Sequence, residues 1–267
     1  MKRQEVLNEM EEMLGVVPSF FGSVTDESLM LEWELFKRME FGEGAIPAKY
    51  RELIGLAVAS ATGRRQSIMF HNELAKLRGA TDEEIEDAVH FAMSSTGMAV
   101  YIEGMQIDFE THRNEVLKSV KSREGKPVKE WQIDMSAPRE QIYSQIEGAL
   151  GVVPTPFKKM SDAVLAVEWQ LNQLLWFSEG PVPIKYRQLI GVGVGAALRS
   201  RNSIFLHTEL AKQFGANDAE VEEAVYFAKL TASWSTYIAA RQADFGTFRD
   251  EILKGVEFAR SRVEITV

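Results

Sequence analysis

The chain contains no cysteine. That absence excludes disulfides, thiolate metal sites and every reaction that needs a thiolate nucleophile. No apolar run reaches membrane length either: the longest, Leu189 to Leu198, is about half of the roughly 20 residues a bilayer demands. Basic charge is scarce, with 30 Lys and Arg against 39 Asp and Glu, a net charge of -9. Phosphate backbones are held by clustered cations, so nucleic acid is not an expected partner. The segment from Met1 to Met13 mixes charged and apolar residues and lacks the continuous apolar core of a secretion signal. A cytoplasmic protein is the expectation.

What is present is ordinary for a globular protein, 45% hydrophobic and 26% charged residues. At 267 residues the chain can build one large core or two of usual size, and two domains are expected. An internal repeat supports this. Shifting the chain by 136 residues aligns its halves without a gap, so that Gly15-Val16-Val17-Pro18 falls on Gly151-Val152-Val153-Pro154 and Glu32-Trp33 on Glu168-Trp169. Pro47 to Lys76 matches Pro183 to Lys212 at 17 of 30 positions. The expected organisation is a first module over 1–121, a linker over 122–136 rich in Gly, Pro and charge, and a second module over 137–267. Trp131 is expected to pin the linker to a surface.

Apolar residues recur at i, i+3 and i+4, with no alternation long enough for a strand, so the fold class is all-α. In the first copy the pattern predicts helices over 6–14, 26–39, 47–61, 64–78, 81–107 and 108–120. Pro47 opens the third, Gly79 closes the fourth, and Thr81 with Glu84 forms a capping box for the fifth. Asn217 and Glu220 read as a less complete version of that cap. Gly191-Val192-Gly193-Val194-Gly195 superficially suggests a dinucleotide loop, but no strand precedes it. Small residues in a closely packed helix explain it better.

One histidine position recurs in both copies, His71 and His207. Ser67 and Ser203 stand four residues earlier, on the same helix face. Arg64 and Ser200 lie a turn further back, and Glu52 and Gln188 stand 19 residues before each histidine on the preceding helix. His90 and His112 are answered by Tyr226 and Phe248, so a duplicated metal site is not expected, and neither metal nor cofactor is called for.

The segment from Arg51-Glu52-Leu53-Ile54 through Gly63-Arg64-Arg65-Gln66-Ser67 to His71, followed by Gly79-Ala80-Thr81-Asp82, resembles the signature of the carboxymuconolactone decarboxylase/AhpD-like family. The resemblance covers most of each copy. In the peroxidase branch it implies Glu, then Cys-x-x-Cys, then His four residues on. Here Glu52 and His71 match, while the cysteine places hold Arg64 and Ser67, and in the second copy Ser200 and Ser203 with Gln188 for the Glu. The decarboxylase branch resembles this chain in an Arg at the place of Arg64 and in the retained His, and differs near Glu52 and Ser67.

The resemblance implies a carboxy-lyase or proton-transfer enzyme on a small acid or lactone-like molecule. His71 would be the acid-base group, Glu52 the partner that keeps it charged, and Arg64 with Ser67 the substrate-binding residues. His207, Gln188, Ser200 and Ser203 would be structural. It also implies a homotrimer forming a pseudo-hexameric ring. A catalytically silent oligomeric binding or structural module is the rival reading. Because no thiol is present to be oxidised, alkyl hydroperoxide consumption with any dithiol donor is expected to equal the buffer blank. Turnover above that blank in a peroxide assay would overturn this exclusion.

Overall fold

The structure, a computed structural model, describes residues 3–123 and 135–264. Trp131 and most of the linker lie outside them. Among the described residues there are thirteen α-helices and no strand. The first copy runs through α1 (Arg3–Leu14), α2 (Asp26–Phe36), α3 (Ala48–Ala61), α4 (Arg65–Leu77), α5 (Asp82–Gly104) and α6 (Phe109–Arg123). The second repeats this as α7 (Arg139–Leu150), the short α8 (Thr155–Lys159), α9 (Asp162–Asn172), α10 (Ile184–Ala197), α11 (Arg201–Gln213), α12 (Asp218–Ala240) and α13 (Phe245–Glu264). No helix among the described residues is long and apolar enough to cross a membrane.

Local chemistry sets these boundaries. Pro47 and Pro183 stand immediately before α3 and α10, where a missing N–H costs nothing. Thr81 and Glu84 form the capping box at the start of α5. The cap on α12 is equally complete, which corrects the sequence expectation: the Glu220 N–H donates to Asn217 Oδ1 (3.0 Å), and the Asn217 N–H donates to Glu220 Oε2 (2.9 Å). An amide oxygen accepts as well as a hydroxyl does.

Two wide turns were not visible in the sequence. Residues 37–41 and 173–177 continue α2 and α9 with i to i+5 hydrogen bonding. Such insertions shift every following side chain around the helix and concentrate at functional sites. Arg51 secures the first, donating to the carbonyls of Met39 and Gly42, both at 2.9 Å. Its counterpart Arg187 donates to the carbonyls of Leu175 and Ser178 around the second.

The copies do not enclose separate cores, which corrects the expectation of two independent ones. One apolar cluster joins Leu53, Ile54, Ala88 and Phe91 to Leu189, Ile190, Ala224 and Ala228; a smaller one joins Trp33 and Phe36 to Phe248 and Ile252. The centre is α3 packed on α10, where the equivalent Tyr50 and Tyr186 rings stack at 3.8 Å. Gly193 makes the approach possible, since a Cβ there would lie 2.9 Å from Ile54 Cγ2. The glycine run is thus close helix packing. Around this pseudo-twofold axis contacts come in exchanged pairs. Arg65 lies over Phe245 and Arg201 over Phe109, while Ser19 binds Glu251 and Thr155 binds Glu115.

The innermost exchanged pairs are ionic. Arg51 Nη1 sits 3.3 Å from Glu223 of α12, and Arg187 Nε 3.8 Å from Asp87 of α5. Each carboxylate also accepts a backbone N–H from the other copy, Glu223 from Ile46 and Asp87 from Val182. Deleting one member of a buried pair strands its partner, so Glu223→Ala should lower unfolding free energy by about 3–5 kcal/mol. Asp82→Ala, at an exposed ion pair with Lys76, should change it by less than about 1 kcal/mol. Urea unfolding measures both; equal effects would contradict the exchanged-pair account.

Candidate functional site

α4 turns one face into the core, burying Ser67, His71, Leu74 and Ala75. His71 meets α3 at Gly55, where a Cβ would stand 2.5 Å from the ring, so only glycine leaves room for the imidazole. On α3, three residues before Gly55, Glu52 places Oε2 2.9 Å from His71 Nδ1. The sequence expectation that these two meet is met by the geometry. The second copy brings Thr231 of α12, whose hydroxyl lies 3.2 Å from His71 Nε2. Ser67 does not bond the imidazole; its hydroxyl pairs with Ser235 at 2.6 Å.

A third acid, unmarked by the sequence reading, completes the site. Glu40, carried inward by the first wide turn, is 3% exposed, and its carboxyl shares a hydrogen bond with that of Glu52. No hydrogen-bond donor meets its Oε2. Arg78 holds the same turn by donating to the Glu40 carbonyl at 2.9 Å. Glu40 continues the buried stripe Leu29, Trp33, Phe36 at spacings of four, three and four. A carboxylate on the apolar stripe of a helix was the signal available in the sequence.

Glu40, Ser67, His71 and Thr231 line a cavity of about 40 Å³, walled by Phe20, Phe36, Phe70, Trp234 and Phe248. Glu52 lies behind it, joining Glu40 to His71. Arg64 is exposed at the start of α4 and is not among the lining residues, so the expected anion clamp is not there. A helix-terminal guanidinium keeps its hydration more cheaply than it enters an aromatic cavity.

Burial dominates the electrostatics. Desolvation raises Glu40 well above the usual carboxylate range, with the neighbouring Glu52 charge adding to it. It raises Glu52 to about 7, opposed by the hydrogen bond from Glu40 and by the charges of Arg78 and Arg51. It lowers His71 to about 4. The expected imidazolium is therefore corrected: a neutral ring costs less to bury than a cation, even beside a carboxylate. Burial thus favours the proton on Glu40 and the neutral ring of His71, while Glu52, at about 7, gives up its proton near neutral pH. Glu52 then accepts from His71 Nδ1–H, which leaves the Nε2 lone pair toward Thr231 and the cavity.

The second copy has the frame without the chemistry. His207 Nδ1 lies 2.8 Å from Gln188 Oε1, and Gln188 Nε2 donates to the Trp176 carbonyl at 3.0 Å, which fixes the amide's orientation. Nδ1 must carry the proton, and Nε2 accepts from Ser95 of α5 at 2.9 Å. Trp176 occupies the place of Glu40 and packs its ring 5.0 Å from His207. Burial drives His207 down to about 3, with nearby His112 adding to the effect. Ser200 caps α11 and donates to Glu103, and Ser203 donates its backbone N–H to Ser200; neither touches the imidazole. Both ring nitrogens of His207 have hydrogen-bond partners.

The chain belongs to the carboxymuconolactone decarboxylase family, whose model matches residues 29–107 and 163–244. It is also similar, at 16% identity over 98% of this chain and 99% of the other with a TM-score of 0.56, to a Burkholderia xenovorans protein provisionally described as a gamma-carboxymuconolactone decarboxylase subunit. That likeness establishes the fold. No curated protein matches.

The two kinds of buried group titrate with opposite consequences for stability. Glu52, raised from 4.5 to about 7, contributes stability that is complete below about pH 4.5 and lost as pH rises through 7. His71 and His207, lowered to about 4 and 3, contribute stability that is present above pH 6.5 and lost as pH falls through those values. Glu52→Gln, which copies Gln188, should therefore gain on the wild type between pH 5 and pH 8 by on the order of 1–3 kcal/mol. Urea unfolding at the two pH values tests this. A constant difference would contradict the raised Glu52.

Proposed function

We propose that this protein is a cofactor-free proton-transfer enzyme, acting in the first-copy cavity on a small, uncharged, mainly apolar carbonyl compound of the lactone type. One observation carries the reading: two proton-exchanging groups, Glu40 and His71, face the same aromatic cavity and are joined behind it by Glu52. With no Lys or Arg on the cavity wall and three acid-base groups on or behind it, a free carboxylate is a poor fit. The lactone half of the sequence expectation is retained, and decarboxylation of a free acid is not supported by this wall.

The chemistry balances without an added reagent. His71 Nε2 removes a proton from the carbon beside the carbonyl, and the C–H electron pair becomes the enol double bond as Glu40 donates its proton to the carbonyl oxygen. In the return step Nε2–H protonates the carbon at the far end of the conjugated system, while Glu40 recovers the enol proton. The net change is a shift of one proton and one double bond. Both groups end as they began, with proton exchange matched by pairing a neutral imidazole with a protonated carboxyl. Thr231 positions Nε2, and the ionised Glu52 stabilises the imidazolium that forms transiently, as a buried carboxylate does behind a catalytic histidine.

The silent-module reading applies to the second copy, where His207 is locked between Gln188 and Ser95 and covered by Trp176. Alkyl-substituted β,γ-unsaturated γ-lactones in deuterium oxide, followed by proton NMR, test the proposal through deuterium uptake and double-bond migration. His71→Ala should abolish both, Glu40→Gln should slow them by about 10²- to 10⁴-fold, and Arg64→Ala and His207→Gln should leave them within about threefold of the wild type. Equal loss in the His71 and His207 variants would sink the assignment of the first cavity.

A further inference from the structure

The pseudo-twofold axis gives the first cavity a counterpart in the second half, and its contents have changed. This second cavity, about 60 Å³, is walled by Met98, Ile102, Val116, Leu150, Phe157 and Leu206. Trp176 lies on its wall against His207, and His207 itself is not among the lining residues. It is a space without the acid-base groups of the first.

Two side chains on its wall have polar atoms without a hydrogen-bond partner, Trp169 at Nε1 and, more fully, His112. His112, at the start of α6, is 3% exposed, lines the cavity, and has no hydrogen-bond partner at either ring nitrogen. Its counterpart in the first cavity is Phe248, packed against Phe20 at 5.8 Å. The fold therefore accepts a phenyl ring at this place. Leaving a buried polar group unpaired is costly, and such a group calls for a water or a ligand as its partner. The carboxylates on and near this wall are already engaged: Glu115 accepts from the Thr155 N–H and hydroxyl, and Glu103 from Ser200. Asn172 donates to the Glu168 carbonyl. No Lys or Arg lines the cavity, so a charged ligand would find no counter-ion.

We propose that the second cavity is a ligand-binding site distinct from the first, taking an uncharged, mainly apolar small molecule whose hydroxyl hydrogen-bonds the His112 ring. A hydroxyl both donates and accepts, which matches a neutral imidazole carrying one N–H and one lone pair. Its wall has the composition of a small-molecule site, apolar with a few polar groups that fix the ligand's orientation. The site binds without turning over its occupant, because the histidine of the second copy is sealed behind Trp176. This proposal does not depend on the chemistry assigned to the first cavity.

The probe is 4-fluorophenol, titrated into the full chain and followed by fluorine NMR together with the imidazole nitrogen shifts of a ¹⁵N-histidine-labelled sample. Saturable binding that moves the His112 ring signals is expected, weakened at least tenfold in His112→Phe and recovered in part in His112→Gln. His112→Phe should keep the wild-type melting curve, as Phe248 implies; if it does not fold, the wild-type His112 shifts decide alone. Absence of saturable binding, binding that leaves the His112 signals unmoved, or equal affinity in His112→Phe would overturn the proposal.

Discussion

The contact between α3 and α10 governs the rest of the structure. These helices are the most thoroughly buried in the chain, with Leu53, Ile54, Leu189 and Ile190 all shielded from solvent. Burying each such side chain is worth about 1.5–3 kcal/mol, and the stacked tyrosines and small residues let the backbones approach closely. Their antisymmetric partners follow from this: α12 must cover α3 and α4, and α5 must cover α10 and α11. Each histidine thus lies on one copy's helix and takes a hydroxyl from the other's, Thr231 for His71 and Ser95 for His207. The site is a property of the pair of copies and of neither alone.

On this symmetric frame three replacements separate the two halves. Glu40, Glu52 and Arg78 in the first copy correspond to Trp176, Gln188 and Phe214 in the second. The first set places two carboxyls in series with an imidazole, and desolvation then has to put a proton on one of the acids, because two neighbouring buried carboxylates cannot both ionise. The second set carries no charge and fills the place of Glu40 with an indole. Gln188 supplies a hydrogen bond that holds its ring in one tautomer without offering a proton acceptor of comparable strength. The two halves keep one scaffold, and the carboxyl groups beside the histidine stand in only one of them.

Much of this was legible in the sequence. The gapless repeat, the helical periodicity and the caps at Pro47 and Thr81 placed the helices closely, since each is a local signal. The pairing of Glu52 with His71 was legible because both lie on strongly periodic neighbouring helices. What was hidden depends on tertiary geometry. The wide turn at 37–41 is a backbone insertion that no residue type announces, although the place of Glu40 on the apolar stripe was readable, and the exchange of α5 and α12 determines which hydroxyl meets which imidazole. Arg64 shows the reverse error: its position in the signature suggested the substrate, but its surroundings are solvent. The charge of His71 was misjudged because pairing with a carboxylate was weighed without the cost of burial.

Burial and the adjacent Glu52 charge favour a proton on Glu40, so a protonated carboxyl is expected in the first site at pH 7. Infrared difference spectroscopy on the ligand-free protein, with and without ¹³C-glutamate labelling, reads the carbonyl stretch of a protonated acid directly. The expected result is such a band at pH 7, weakened in Glu40→Gln, where Glu52 alone is left to carry it, and unchanged in His207→Gln. A wild-type spectrum at pH 7 with only ionised glutamate would contradict it.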